Sequence, residues 1–107
     1  MNTFNIKLDK VRQLKFDNRA IFELEKQLGV SPIASLQDES KSTSIQFLAS
    51  CVWAGLLHTD KLTFDEALDI IPLNEFNRVL ETIVQALADA YGLGDAVEEK
   101  KEKLQDA

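Results

Sequence analysis

The sequence predicts a small α+β domain, mainly α, in which an N-terminal β-hairpin and several helices pack around one central helix over residues 44–58. Three observations predict it. Residues 3–8 and 12–16 each alternate apolar and polar side chains, the pattern of half-buried strands. Ser44 to His58 is apolar on nearly every side, the pattern of a helix enclosed by other elements. Phe76, Val79, Leu80, Ile83, Val84, Leu87 and Tyr91 form a regular helical stripe.

The hairpin comes first. Phe4, Ile6 and Leu8 point one way, and Leu14 and Phe16 share a side of the second strand. A turn over Asp9–Val11 pairs Ile6 with Leu14 and Phe4 with Phe16, which keeps one apolar face. A two-residue turn would invert it. A lone two-stranded hairpin is marginal in water, so it lies on a helix or gains a strand from another subunit. The second option would make its free edge an assembly surface.

A helix over about 18–28 follows. Asp17 is its N-cap and Gly29 its C-terminal cap. Ala20, Ile21, Leu24 and Leu28 face inward, while Phe22 departs from the stripe and is partly exposed. Ser31-Pro32 opens a short helical turn through Leu36. Residues 37–44, QDESKSTS, hold no apolar residue and read as the most loop-like part of the domain.

In the central helix Ile45, Leu48, Ala49, Val52, Trp53 and Leu56 form one stripe. Phe47, Cys51, Ala54 and Leu57 fill the far side. At about fifteen residues it is too short for a bilayer, which takes roughly 20. If Trp53 is core, Trp53→Ala costs roughly 3–5 kcal/mol. Thr63-Phe64-Asp65-Glu66 is a capping box that starts a helix over 64–71, with Phe64, Ala67, Leu68 and Ile71 inward and Pro72 as the stop. Leu62 packs from outside the cap. Asn74 caps the last helix, 75–91, which closes at Gly92. The globular domain thus spans 1–92, and 93–107 reads as a charged, flexible tail.

Composition restricts the function. The 107 residues fit one domain with roughly two-thirds of its unfolded surface buried. A net charge of −6 opposes binding to nucleic acid or anionic membrane, both of which need clustered Lys and Arg. Met1 to Lys10 has no apolar signal region, and the expected location is the cytoplasm. Cys51 is the single cysteine and reads as a small buried hydrophobe. The single histidine, His58, sits where it can bond terminal carbonyls of the central helix. Asp60 lies two residues on, without a nucleophile beside the pair. Asp65 and Glu66 suit the first turn of a helix. The sequence therefore predicts no catalytic residue, no cofactor and no metal site.

Two phrases carry a resemblance. Arg12-Gln13-Leu14-Lys15-Phe16, then Ala20, Leu24-Glu25 and Leu28-Gly29, resembles the opening of the tail assembly chaperones of long-tailed bacteriophages and phage-like elements. Trp53-Ala54-Gly55-Leu56-Leu57, then Leu62-Thr63 and Glu66, resembles the second phrase of that group. The resemblance covers about residues 12–71. It implies a non-enzymatic chaperone of the host cytoplasm that is absent from the mature particle. Such a protein binds the long tape-measure protein, keeps it soluble and helps recruit the tail-tube protein. Many members are also made in a longer, frameshifted form, and Lys100-Lys101 is compatible with an A-rich slippery run. The surface that grips the partner is expected at the hairpin edge (Phe4 and Ile6), at Phe22 and at Trp53. Self-association through that edge is a further expectation. A small regulatory or antitoxin-like interaction domain of a mobile element is the alternative.

Overall fold

The computed structural model describes residues 3–93. Within them, strands β1 (Phe4–Lys7) and β2 (Val11–Leu14) precede six helices: α1 (Asn18–Leu28), α2 (Pro32–Gln37), α3 (Glu39–Ser42), α4 (Ile45–Gly55), α5 (Phe64–Asp69) and α6 (Phe76–Tyr91). A 3-10 turn, Leu73–Glu75, leads into α6. The predicted fold class holds. Helix α4 is the hub: α1, α3, α5, α6 and β2 all pack against it, and β1 packs against α6. Most of its apolar far side and of its stripe is buried, with Phe47, Leu48, Cys51, Val52, Ala54 and Leu56 all at or below 1% exposure, whereas Ile45 at the start of the stripe is 40% exposed and Trp53 and Leu57 are half-buried.

The hairpin lies on the helices with Ile6, Leu8, Leu14 and Phe16 buried. Its register differs from the expected one. Phe4 pairs with Leu14 and Ile6 with Arg12, so the turn is Leu8-Asp9-Lys10. The slip is two residues, which preserves the faces but changes every neighbour. The cause is Arg12, which takes an inward position and brings its own partners. Its Nε and Nη2 donate to the two Asp9 carboxylate oxygens at 2.9 Å, and its Nη1 donates to Asp60 Oδ2 at 2.6 Å. A bidentate guanidinium–carboxylate pair is geometrically demanding, and it places Asp9 at the middle of the turn. The Arg12 guanidinium also holds the Asp9 carboxyl below the usual carboxylate range. At the other edge, Arg78 Nη2 donates to the Lys7 carbonyl at 2.7 Å and fastens α6 to the end of β1.

Most helix ends follow the expected chemistry. Asp17 accepts from Ala20 N, and Gly29 adopts φ 78°. Ser31 accepts from Ala34 N. Ser44, the last residue of the polar stretch, caps α4 by accepting from Phe47 N, a cap not among those expected from the sequence. Thr63 and Glu66 exchange both hydrogen bonds of the capping box, at 3.1 and 3.0 Å. Leu62 packs on the core. Gly92 adopts φ 70°, and the Leu93 N–H reaches back to the Ala88 carbonyl at 2.7 Å.

Several boundaries need correction. The polar stretch 37–44 is not all loop. Asp38 caps a single turn, α3, by accepting from Ser40 N and Ser40 Oγ, and local capping stabilises a turn without an apolar face. The central helix stops at Gly55 rather than near His58. The Gly55 carbonyl is diverted to Lys15 N–H at 2.9 Å and to His58 Nδ1 at 3.0 Å. Thr59 N–H, its helical partner by spacing, bonds Leu56 instead. Helix α5 ends at Asp69, short of Ile71, because Pro72 restricts the residues before it. Leu68 is 38% exposed rather than inward. Asn74 does not cap α6, whose start has no side-chain cap because the 3-10 turn already forms it. Tyr91 is partly exposed at the end of its stripe. The expectation of a charged tail falls, beyond Leu93, outside the described residues.

One side chain is at odds with its surroundings. Ser50, on α4, is fully buried and its Oγ has no hydrogen-bond partner among the described residues. Removing an orphan buried hydroxyl stabilises by about 1 kcal/mol. Ser50→Ala is therefore expected to raise the melting temperature by a few degrees, about 4–8 °C per kcal/mol for a small domain. A lower melting temperature in a calorimetric scan would show that the hydroxyl has a structural partner.

Candidate interaction surface

The four residues singled out for partner binding are not equivalent. Ile6 is 1% exposed and belongs to the core. Phe4 and Trp53 are half-buried and packed against that core. Only Phe22 is open, at 52%. It lies on the outer face of α1, because α1 turns Ala20 and Leu24 toward α4. Asn18, Arg19 and Phe22 line a shallow open cavity on this face. Lys26, one turn further on, holds its ammonium 5.2 Å from the centre of the Phe22 ring, within cation–π range. Lys26 also pairs with Glu23 at 3.4 Å.

Sequence reasoning found Phe22 from its departure from the stripe but missed Arg19. The signal was present: Arg19, Phe22 and Lys26 stand at i, i+3 and i+7, one helix face. The hairpin edge is less free than the strand pattern suggests. Lys15 N–H is bonded to α4 and the Lys7 carbonyl to Arg78.

The remaining candidate groups serve the fold. Asp60 is paired with Arg12. His58 bonds the Gly55 carbonyl, as expected of a C-terminal histidine. Glu66 belongs to the capping box. Ser40, Ser42 and Ser44 make turn and cap hydrogen bonds. Cys51 is buried, and burial pushes its thiol pKa up, away from thiolate chemistry. Among the described residues no group of three or more His, Cys, Asp or Glu is placed to hold a metal ion. No helix among them is long and apolar enough to cross a membrane.

No family model, curated protein or solved structure matches the chain.

Proposed function

We propose that this chain is a non-enzymatic tail assembly chaperone of a long-tailed phage or phage-like element. It binds the tape-measure protein in the host cytoplasm, keeps it soluble while the tail-tube protein is recruited, and is absent from the finished particle. The observation that carries this reading is the order and spacing of the two phrases that resemble the family, together with where they meet. Leu14 and Phe16 of the first phrase lie against Gly55 of the second, and Lys15 N–H bonds the Gly55 carbonyl at 2.9 Å. Residues some forty positions apart thus form one joint, so the two phrases describe a single packed unit. The acidic surface supports a solubilising role.

The test is affinity capture of the tagged full-length chain from cells producing the element, with mass spectrometry of the eluate. Recovery of a long, heptad-rich tape-measure protein with the tail-tube protein is expected. Recovery of a regulator or toxin without tail proteins would replace this reading with that of a regulatory interaction domain. Presence of the chain in purified particles at structural stoichiometry would make it a tail component instead.

A further inference from the structure

We infer that the Arg19–Phe22–Lys26 face of α1 is a docking surface for an acidic amphipathic helix of a partner protein. The inference rests on the proposed function, in which the chain acts by binding a helical protein, and it names the surface and the partner chemistry.

The three arginines make the first argument. Arg12 is held by Asp9 and Asp60, and Arg78 by Glu75 and the Lys7 carbonyl. The Arg19 side chain is exposed and makes no hydrogen bond or ion pair among the described residues. A guanidinium presents a planar fork that fits a carboxylate with two parallel bonds. Beside it Phe22 is 52% exposed. Exposed Arg and aromatic side chains are the residue types that most often anchor interfaces.

Charge makes the second argument. The chain carries −6 overall, yet this face presents the Arg19 guanidinium, which has no carboxylate partner among the described residues, and the Lys26 ammonium, which is shared with Glu23 at 3.4 Å and lies against the Phe22 ring. Its complement is a surface that alternates carboxylates with aliphatic side chains. Arg19 and Lys26 are seven residues apart, about 10 Å along the helix axis. Carboxylates at i and i+7 on a partner helix span the same distance. An aliphatic side chain between them would cover the Phe22 ring and enter the cavity lined by Asn18 and Arg19.

The test uses the full chain, labelled with ¹⁵N, and synthetic helical peptides with Leu at every a and d position. One peptide carries Glu at the flanking e and g positions; the control carries Lys. The Glu peptide is expected to shift the amides of residues 18–26, with binding that weakens as salt rises. Arg19→Glu, at an exposed site and with an unchanged circular dichroism spectrum, is expected to weaken it at least about fivefold. Arg19→Glu combined with Lys26→Glu should transfer the preference to the Lys peptide. Shifts confined elsewhere, equal binding of both peptides, or unchanged affinity of Arg19→Glu would overturn the inference. So would α1 amides that move with protein concentration alone, which would mean a second copy covers the face. The inference also fails if Glu98→Gln, Glu99→Gln and Glu102→Gln together move those amides without peptide, since the chain's own C-terminal segment would then be the occupant. The two proposals fail separately. Capture of the tape-measure protein by both wild type and Arg19→Glu removes this surface but leaves the chaperone reading. Glu-peptide binding at α1 without any tail protein in the capture does the reverse.

Discussion

Gly55→Val is expected to destabilise the domain by about 3 kcal/mol, at the upper end of ordinary overpacking. The position has no unusual backbone torsion; what it lacks is space. A Cβ built at Gly55 lies 2.7 Å from Leu14 Cδ2 and 3.3 Å from Phe16 Cζ. Leu14 is fully buried and Phe16 is 2% exposed, so neither side chain has solvent to move into. The alternative is for α4 and the chain after β2 to separate, which would break the Lys15–Gly55 hydrogen bond. Gly55→Ala meets the same first contact. The usual gain of up to about 1 kcal/mol from alanine in a helix offsets part of it, and a net loss of about 1 kcal/mol is expected. Urea unfolding followed by circular dichroism reads both values. The specific signature is coupling. Leu14→Ala alone leaves a cavity and costs about 2–5 kcal/mol. In the Gly55→Ala background it should cost at least about 1 kcal/mol less, because the two sites touch. Additive effects, or a stabilising Gly55→Ala, would mean that the joint between hairpin and central helix is looser than described.

Phe47→Ala is expected to cost about 3–5 kcal/mol, a large part of a domain stability of about 5–15 kcal/mol. Phe47 is 1% exposed on the side of α4 away from its regular stripe. Trp53, the larger residue and the more obvious anchor by sequence, sits half-buried at the core margin. Trp53→Ala is accordingly expected to cost less, within the common range of about 0.5–3 kcal/mol. The ranking is the test. Denaturant midpoints at constant slope should place Phe47→Ala well below Trp53→Ala. Should Phe47→Ala fail to fold, Phe47→Leu keeps the comparison measurable. A reversed order would mean that α4 is rotated about its axis relative to the packing described.

Much of this architecture was legible because local chemistry decides it. Asp17, Ser31 and the Thr63–Glu66 box each act within three residues of themselves, and Gly29 and Gly92 close their helices through their own torsions. The apolar run of 44–58 sufficed to mark a hub, since a helix with no polar face must be enclosed. The parity of the hairpin was legible too, because alternation with period two assigns faces.

What escaped the sequence depends on partners distant along the chain. The hairpin register follows from Arg12 reaching Asp60, forty-eight residues away. The end of the central helix follows from the Gly55 carbonyl turning to Lys15. Phe22 could be read as an outlier, but the openness of its surroundings, and an arginine beside it without a partner among the described residues, exist only once α1 has laid its other face on α4. Alternation and capping are properties of neighbours in sequence, so the sequence determined the elements and their inward faces. Register, helix termination and the exposed basic–aromatic face were decided by the tertiary structure, because each is set by which distant groups compete for the same hydrogen bond, charge or volume.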